Sequence, residues 1–448
     1  MFKPNATHKP SRRLFLRGAT AALGATFWAD ETLEAALQYT RTASKPSELK
    51  ITDLRMVQLG RRALIRIDTN QGIYGLGENR DGASNVFPLM LKRLIVGENP
   101  CNVDKIFRKI KQFGYHARQG GGVSGVEVAL WDLAGKAYNV PIYQMLGGKF
   151  RDRIRCYADT SPSNDPEVFG QQLKRRMQEG FTFLKMDVRP ALIEKIPGTM
   201  TYPAGADISG STVHMFTGLE YTDKGIAIMA DFLAKVRQII GMEIPLATDH
   251  FGHFGVNTAI RLGKAFEKFN LAWMEDLIPW QYTELLKKIT DSIDVPTLTG
   301  EDIYLKEPFE VLCREHAVDM IQPDLLTAGG ILETKKIGDM AQEYGVPMVL
   351  HMAESPIACF ACVHCAAATE NFLVLENHDV DNPSWGDIVD GVEKPIIQKG
   401  FIKVPEGPGL GITLNEEALK KQMTEPGYFE PTPEWDPPKM RINDRLWS

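Results

Sequence analysis

Three carboxylic acids follow three apolar stretches of the sequence at equal intervals. Each stretch is typical of a β-strand, and an acid ends it: Asp249 ends IPLATD, Glu275 ends LAWME and Glu301 ends VPTLTGE. Each separation is 26 residues. If the strands are parallel neighbours, the three carboxylates meet at one edge of the sheet. Carboxylates this close repel each other unless a cation lies between them, and Mg²⁺ prefers oxygen ligands. The pattern therefore predicts a magnesium site.

An acid and a histidine continue this series on the next two predicted strands. Asp324 follows VDMIQP, and His351 follows VPMVL 27 residues further on. A carboxylate beside an imidazole fixes the tautomer of the ring and raises its basicity. We therefore predict that His351 is a general base oriented by Asp324, rather than a structural histidine. The next strand ends at Glu376, whose carboxyl group could bind a substrate carboxylate if it is protonated or acts with the metal.

Further polar side chains follow two earlier strands. Alternation along FLKMDV places Lys185 and Asp187 on the same side of the strand, toward the site. A lysine there could hold a substrate carboxylate or stabilise an enolate. In LATDHFGHFGV, strict alternation would turn His250 away from Asp249, but the strand ends there and a loop can re-aim the ring. His253 lies further into this loop, so both histidines are candidate proton donors.

The elements that must position these residues are repeated helix–strand units. After residue 156, helical patterns alternate with short apolar strands seven or eight times. Such units imply parallel strands with crossover helices, and this number of them predicts a (β/α) barrel. The preceding residues predict a small α+β unit. A stretch rich in Gly, Pro, Ser and Thr at 190–222 interrupts the repeat. We interpret it as a lid or substrate loop, with a disordered insertion as the alternative.

The overall composition restricts the class of protein. The 448 residues are 44% hydrophobic and 24% charged, with a net charge of −6 and no basic stripe, so nucleic acid is not an expected partner. No stretch approaches the roughly 20 apolar residues that span a bilayer, so we expect no membrane span. Residues 1–30 carry Arg12 and Arg13 before a weakly apolar run. This pattern predicts a twin-arginine export signal and a periplasmic location, with a disordered basic tail as the alternative.

Three of the six cysteines lie close together in CFACVHC, as Cys359, Cys362 and Cys365. An iron–sulfur cluster would need a fourth thiolate, and the Cys-Pro that ends the bacterial cluster motif is absent from this run. A spacing of three places the thiols along one side of a helix. We therefore predict that these cysteines belong to the core of a buried helix.

Together these residues resemble the enolase superfamily, and within it the mandelate racemase/muconate lactonizing enzyme-like group. The resemblance also rests on VEVALWDLAGKAYNVPIYQMLGG and VPEGPGLGITLNEEAL, and it covers about residues 50–419. It implies a modified TIM (β/α) barrel with an α+β capping domain formed by N- and C-terminal segments. It also implies one Mg²⁺ held by the acid trio. The cap of this group supplies specificity loops near the substrate, and GENRDGASNV resembles such a loop. We divide the chain into a signal at 1–30, a cap segment at 48–152, a barrel at 153–385, a returning segment at 386–425 and an extended tail at 426–448.

One motif departs from the racemases of this group. They carry Lys-x-Lys where this chain has Lys185, Met186 and Asp187, so the second lysine base is missing. The galactonate dehydratase-like members share that loss, although their acid histidine stands where this chain has Phe251. We predict a Mg²⁺-dependent acid-sugar dehydratase in which His351 removes the proton α to a carboxylate. His250 or His253 then protonates the departing β-hydroxyl group.

Several alternatives stay open at this stage. A racemase, epimerase or cycloisomerase would use the same fold, with Asp187 or another group as the second base. A Schiff-base barrel enzyme would use Lys185 as its nucleophile. A non-catalytic exported sugar-binding protein would keep only the barrel. In the preferred interpretation the partner is a small-molecule carboxylate, an acid sugar, and we also expect a homo-oligomer.

Overall fold

The computed structural model of the chain describes residues 45–115, 120–202, 214, 216, 218–251 and 254–437. The predicted export signal, the end of the predicted tail and His253 lie outside the described residues. Within the described part, no helix combines the length and apolar character needed to cross a bilayer.

The chain first forms a three-stranded antiparallel sheet covered by helices. The elements are β1 (Ile51–Leu59), β2 (Arg62–Thr69), β3 (Tyr74–Asn79), α1 (Phe87–Ile95), α2 (Val103–Ile110), α3 (Gly120–Tyr138) and α4 (Ile142–Met145). Helix α3 lies directly against β3. A Cβ atom at Gly75 would lie 2.1 Å from the Ala129 carbonyl oxygen, and one at Gly77 would lie 2.0 Å from that of Gly125. Only glycine allows this contact, which holds the α+β capping domain together.

The strands and helices of the rest of the chain follow in alternation. The strands are β4 (Arg153–Ala158), β5 (Leu184–Asp187), β6 (Met200–Thr201), β7 (Glu220–Tyr221), β8 (Leu246–Asp249), β9 (Met274–Glu275), β10 (Thr297–Thr299), β11 (Met320–Ile321), β12 (Met348–Leu350), β13 (Phe372–Asn377), β14 (Val389–Asp390), β15 (Ile397–Gln398), β16 (Phe401–Lys403) and β17 (Thr413–Leu414). The helices are α5 (Pro166–Gln178), α6 (Asp223–Ile240), α7 (Val256–Phe266), α8 (Thr283–Thr290), α9 (Lys306–Arg314), α10 (Leu325–Ala328), α11 (Ile331–Glu343), α12 (Pro356–Ala368) and α13 (Glu416–Gln422).

Eight of these strands form a barrel. Parallel pairing runs in the order β4, β13, β12, β11, β10, β9, β8 and β5, and β4 lies beside β5, which closes the ring. Each strand, or the residue just before it, contributes one buried side chain to a central layer. These side chains are Tyr157, Phe183, Ala247, Trp273, Leu298, Met320, Val349 and Val374. The predicted modified TIM barrel is confirmed, and its interior is a packed core rather than a pore.

The segment between β5 and α6 departs from the repeat, as the sequence predicts. A 3-10 turn (Pro190–Leu192) leads into the antiparallel pair β6 and β7, and much of the tip between them lies outside the described residues. The hydroxyl group of Tyr221 donates a hydrogen bond to the carbonyl oxygen of Phe251, and the rings of Phe216 and Tyr282 lie 4.9 Å apart. The base of this segment therefore packs beside the loops that follow β8 and β9. Its role as a lid stays a prediction.

The chain returns to the cap after the barrel. The backbone N–H of Leu410 donates to Asp132 of α3, and the Lys92 ammonium contacts Asp53 and Asp436. Both terminal segments thus contribute to the capping domain, as predicted. In α12, the cysteines of CFACVHC are buried and unpaired, which confirms the prediction of a buried helix.

Two acids of the cap bind the N-termini of barrel helices. Glu78, on β3, accepts hydrogen bonds from the backbone N–H and the hydroxyl group of Ser355, which begins α12. Glu127, on α3, accepts from the backbone N–H groups of Ile331 and Leu332 at the start of α11. The first N–H groups of a helix lack partners within it, and its N-terminus attracts negative charge. The cap is therefore fixed to the helices that follow β11 and β12.

We expect Glu127→Ala to lower the free energy of unfolding by about 2 kcal/mol or more, because buried donors lose their acceptor. The measurement is urea denaturation followed by circular dichroism. Glu343→Ala is the matched control, since Glu343 is exposed at the other end of α11. We expect it to stay within about 0.5 kcal/mol of the wild type. Equal stability of the two variants would contradict the clamping role.

Candidate functional site

A cavity of about 400 Å³ opens at the carboxyl ends of the barrel strands. The loops after β8, β9 and β10 line it with Asp249, His250, Asp276, Trp280 and Glu301. The carboxyl ends of parallel barrel strands are where such barrels place their chemistry. Asp249 and Glu301, two of the acids predicted at strand ends, therefore lie where the chemistry is expected.

Three acids lie close enough to share a cation. Oxygen atoms of Glu275, Asp276 and Glu301 all lie within 4.8 Å of one another. Asp249 lines the same cavity, and burial together with the charge of Asp249 raises the pKa of Glu275 well above its ordinary value. Crowded, buried carboxylates of this kind are stabilised by a positive ion, and an all-oxygen set suits a hard divalent cation such as Mg²⁺. Glu275, Asp276 and Glu301 therefore form an acid cluster that fits a metal, and Asp276 is a donor that the sequence prediction did not include. Asp249, the third predicted ligand, lines the same cavity but is not one of these three.

Local packing holds Glu275 in this arrangement. The indole N–H of Trp273, in the central layer of the barrel, donates to Glu275 Oε2 at 2.9 Å. Asp276 has a left-handed backbone, with φ of 46°, at the point where β9 ends. Non-glycine residues adopt this conformation rarely, and it is concentrated at functional sites. The turn allows two consecutive acids to face the same cluster.

Lys185 is a buried cation among three carboxylates. Its Nζ lies 2.9 Å from Asp249 Oδ2, 3.3 Å from Glu275 Oε1 and 2.8 Å from Glu376 Oε1. Burial opposes the charge, but the three carboxylates raise the pKa of Lys185 well above its ordinary value. A Schiff-base lysine must lose its proton before it can attack a carbonyl group. This lysine is held in the charged state, so the geometry disfavours the Schiff-base alternative.

His351 and Asp324 form the predicted pair. His351 Nδ1 lies 2.7 Å from Asp324 Oδ2, and both side chains are buried. The other ring nitrogen, Nε2, lies 3.2 Å from Glu301 Oε2 and 3.9 Å from Glu376 Oε2. Burial lowers the pKa of His351, but Glu301 and Asp324 outweigh burial and raise the pKa to about 10. Without a cation at Glu301 the ring therefore carries a proton at neutral pH, and a cation bound there would offset the charge of Glu301 and free Nε2 to accept the substrate proton.

Asp187 ends β5, and His250 directly follows β8. In the order of strands around the barrel, Glu275 and Glu301 lie between these two residues and the His351–Asp324 pair. His250 has φ of 62°, and this left-handed backbone turns its ring back toward the strand. Its Nδ1 lies 3.1 Å from Asp249 Oδ2 and 3.4 Å from Asp187 Oδ1. The carboxylates of Asp187 and Asp249 raise the pKa of His250 to about 11, so the ring carries a proton at neutral pH. A protonated ring is the state that a proton donor needs.

The sequence prediction missed an arginine and a glutamate next to the dyad. Arg80 lies just after β3 in the cap, and its Nη1 lies 2.7 Å from Glu354 Oε1 and 3.3 Å from Asp324 Oδ2. The exposed fraction of each of these three side chains is only 1%. Glu354 lies three residues after His351, and this proximity was the available signal for it. Arg80 lies in GENRDG, the predicted specificity loop of the cap, and had no such signal.

A second histidine–carboxylate pair was also missed. His378 follows β13, and its Nε2 lies 3.3 Å from Glu376 Oε1, while its Nδ1 lies 3.6 Å from Asp159 Oδ2. The ring centroids of His378 and His351 are 5.4 Å apart. These two rings and Glu376 could also bind a metal, but an imidazole-rich set suits transition metals rather than Mg²⁺. The acid cluster is therefore the better site for a hard cation.

Two family models match the chain. The model described as "Enolase C-terminal domain-like" matches residues 169–418. The model described as "Mandelate racemase / muconate lactonizing enzyme, N-terminal domain" matches residues 34–147. The first match includes all the predicted metal ligands and the histidine–aspartate pair.

Relatives and solved structures agree with these matches. D-xylonate dehydratase of Haloferax volcanii is 32% identical over 371 residues, which cover 81% of this chain and 85% of that protein. A D-galactonate dehydratase family member of Streptomyces bingchenggensis is 27% identical and covers 87% of this chain and 96% of its own length. The crystal structure of a mandelate racemase/muconate lactonizing enzyme-like protein from Rubrobacter xylanophilus has a TM-score of 0.74 at 29% identity. That similarity covers 85% of this chain and 99% of the other.

Proposed function

This chain belongs to the mandelate racemase/muconate lactonizing enzyme family of the enolase superfamily, and we propose that it is a Mg²⁺-dependent sugar acid dehydratase, a hydro-lyase. The observation that carries the proposal is the location of His351 Nε2 beside the acid cluster and beside Glu376. Relatives named as sugar acid dehydratases support the substrate class. The substrate is a carboxylate that carries a hydrogen and a hydroxyl group at the α carbon and a second hydroxyl group at the β carbon.

The residues divide the reaction between them. Asp249, Glu275 and Glu301 would hold Mg²⁺, which would offset the negative charge that develops on the substrate carboxylate. The ammonium of Lys185 contributes a second, fixed positive charge at the same place. Glu376 accepts a hydrogen bond from Lys185, and despite burial the charge of Lys185 holds the pKa of Glu376 well below its ordinary value, so Glu376 acts on the substrate carboxylate through Lys185. Such fixed charges stabilise the transition state because they need no rearrangement as the reaction proceeds.

Two bonds break in sequence. The α C–H bond breaks as its proton moves to Nε2 of His351, and the electron pair enters the substrate carboxylate to form an enediolate. Collapse of the enediolate breaks the β C–O bond, and the departing hydroxide takes a proton from a histidine and leaves as water. The resulting enol rearranges to a 2-keto-3-deoxy acid. Asp324 holds the His351 ring in position while its charge changes.

The candidate acids differ in which histidine supplies the proton to the departing hydroxide, and single substitutions test this. We expect His250→Asn to lower keto acid formation by about 10²-fold or more, while exchange of the substrate α-proton with D₂O continues. His253→Asn is the parallel variant, with a smaller expected effect, because His250 directly follows Asp249. Proton exchange is followed by NMR and keto acid by a colorimetric assay. If both variants form keto acid at the wild-type rate, neither residue is the acid, and His378→Asn becomes the next variant to test.

The alternatives receive less support. A two-base racemase would need Asp187 or another group as its second base, but Asp187 Oδ1 lies 3.4 Å from His250 Nδ1, and the relatives are named as dehydratases. A non-catalytic binding protein would not need a buried dyad beside an acid cluster. The galactonate dehydratase-like features therefore agree best with elimination.

A screen of mono- and diacid sugars with Mg²⁺, assayed for keto acids, tests the proposed function. We expect turnover of at least one acid with a hydrogen and a hydroxyl group at the α carbon and a hydroxyl group at the β carbon. Exchange of the α-proton in D₂O without a keto product would instead indicate a racemase or epimerase. Binding of acids without exchange or turnover would indicate a binding protein.

A further inference from the structure

Arg80 crosses from the capping domain to the base of the catalytic pair. Its guanidinium group contacts Asp324 and Glu354, and its Nε donates to Thr327 Oγ1 at 3.1 Å. Its Nη2 also lies 3.8 Å from Glu301 Oε1. One side chain of the cap therefore reaches the orienting acid of the dyad and a predicted metal ligand. Only 1% of Arg80 is exposed, so its guanidinium group interacts with the protein rather than with bulk solvent.

The charges around Arg80 require a cation at this position. Asp324 and Glu354 are both buried, and burial without compensation strongly disfavours two neighbouring carboxylates. Among the residues that the structure describes, Arg80 is the one lysine or arginine in ion-pair contact with either of them. A guanidinium group is planar and carries its donors at fixed angles, so it constrains where each carboxylate lies. The guanidinium group thereby contacts the same Asp324 oxygen, Oδ2, that pairs with His351, while Oδ1 accepts from the backbone N–H of Thr327.

We propose that Arg80 is a positioning residue through which the capping domain orients the His351–Asp324 base and moderates the negative charge of the metal site. The role in orientation rests on the proposed dehydratase function, whereas the effect on metal binding does not. Arg80 belongs to the cap loop that was predicted to contact substrate. In this proposal the loop acts on the base indirectly, because Arg80 contacts Asp324 and Asp324 orients His351. Correct docking of the cap then becomes a condition for an active base.

The test uses Arg80→Met, Arg80→Lys and the control Arg62→Met in the full chain. Arg62 is a second cap arginine that reaches the barrel, where it donates to the Ala353 carbonyl oxygen at 2.7 Å and pairs with Asp379. Its loss removes a comparable link between cap and barrel without touching the dyad. We expect Arg80→Met to lower kcat by about 10²-fold with little change in KM, because small displacements of a catalytic group have effects of that size. We expect Arg62→Met to stay within about threefold of the wild type in both constants.

Mg²⁺ affinity separates the proposed role from a general loss of structure. A damaged site would bind Mg²⁺ more weakly, whereas the proposal predicts tighter binding. Removal of a positive charge beside Glu301 makes the acid cluster more negative, so we expect Arg80→Met to bind Mg²⁺ about tenfold more tightly. Titration calorimetry with Mg²⁺ alone measures this. Arg80→Lys keeps the charge but not the fixed geometry, so its Mg²⁺ affinity should match the wild type while kcat stays low. If Arg80→Met does not fold, the double variant Arg80→Met/Glu354→Gln replaces it in the test. The second substitution removes the charge of Glu354, which Arg80 compensates in the wild type.

The outcomes separate this proposal from the proposed function. A kcat of Arg80→Met equal to that of Arg62→Met, or weaker Mg²⁺ binding in Arg80→Met, would overturn the proposal. If the wild type shows no turnover on any acid sugar, the dehydratase assignment fails. In that case the Mg²⁺ affinities and the NMR resonance of the His351 Nδ1 proton still report the effect of Arg80. A resonance and an affinity unchanged in Arg80→Met would then reject the positioning role by itself.

Discussion

His351→Asn is expected to lower both keto acid formation and α-proton exchange by at least about 10³-fold, because general bases of this kind contribute roughly 10²- to 10⁴-fold. His351 is the imidazole whose Nε2 lies 3.2 Å from the acid cluster, and its other nitrogen is engaged by Asp324. Asparagine keeps a hydrogen-bond donor toward Asp324 but has no group that accepts a proton near neutral pH. The loss therefore falls on the chemical step rather than on folding.

The loss of exchange is what makes this prediction specific. A variant that lacks only the acid should still exchange the α-proton, whereas a variant that lacks the base should do neither. His316→Asn is the matched control, because His316 is exposed on the surface loop after α9. It should keep wild-type rates of both processes. Exchange at the wild-type rate in His351→Asn would exclude His351 as the base and direct the search to His378.

Metal removal should have an effect of similar size. We expect dialysis against EDTA to lower turnover by at least about 10³-fold and Mg²⁺ to restore it, because a cation contributes several kcal/mol to stabilising an enediolate. Each of Asp249→Asn, Glu275→Gln and Glu301→Gln should weaken Mg²⁺ binding measured by calorimetry. Turnover that is insensitive to EDTA in protein shown to be metal-free would contradict the proposed magnesium site.

The metal-free protein should nevertheless stay folded. Lys185 contacts Asp249, Glu275 and Glu376, so part of the negative charge is compensated without a metal. Addition of Mg²⁺ should raise the free energy of unfolding by about 2.7 kcal/mol at a concentration one hundred times its dissociation constant. Urea denaturation with and without Mg²⁺ measures this difference. Unfolding on dialysis against EDTA would show that the cation is structural as well as catalytic.

Much of the fold could be predicted from the sequence because the barrel is a repeat. Each helix–strand unit buries an apolar face in the same way, so hydrophobic spacing marks the strands and their ends. The acids Asp249, Glu275 and Glu301 recur at intervals of 26 residues, and Asp324 and His351 are 27 residues apart. Equal intervals in a repeat place residues at equivalent positions around the ring. The sequence therefore determined the barrel, the pairing of Asp324 with His351, and two of the three acids in the cluster, Glu275 and Glu301.

The tertiary structure alone decided how these groups are connected. Arg80 comes from a different domain, and nothing in its local sequence indicates that it reaches Asp324, more than 240 residues away. The inward turn of His250 depends on a left-handed backbone that strand alternation does not predict. Periodicity reports which face of an element is buried, but contacts between domains depend on how two surfaces dock. The sequence by itself thus determined which strand ends carry the site, and packing of the cap on the barrel decided what holds its base.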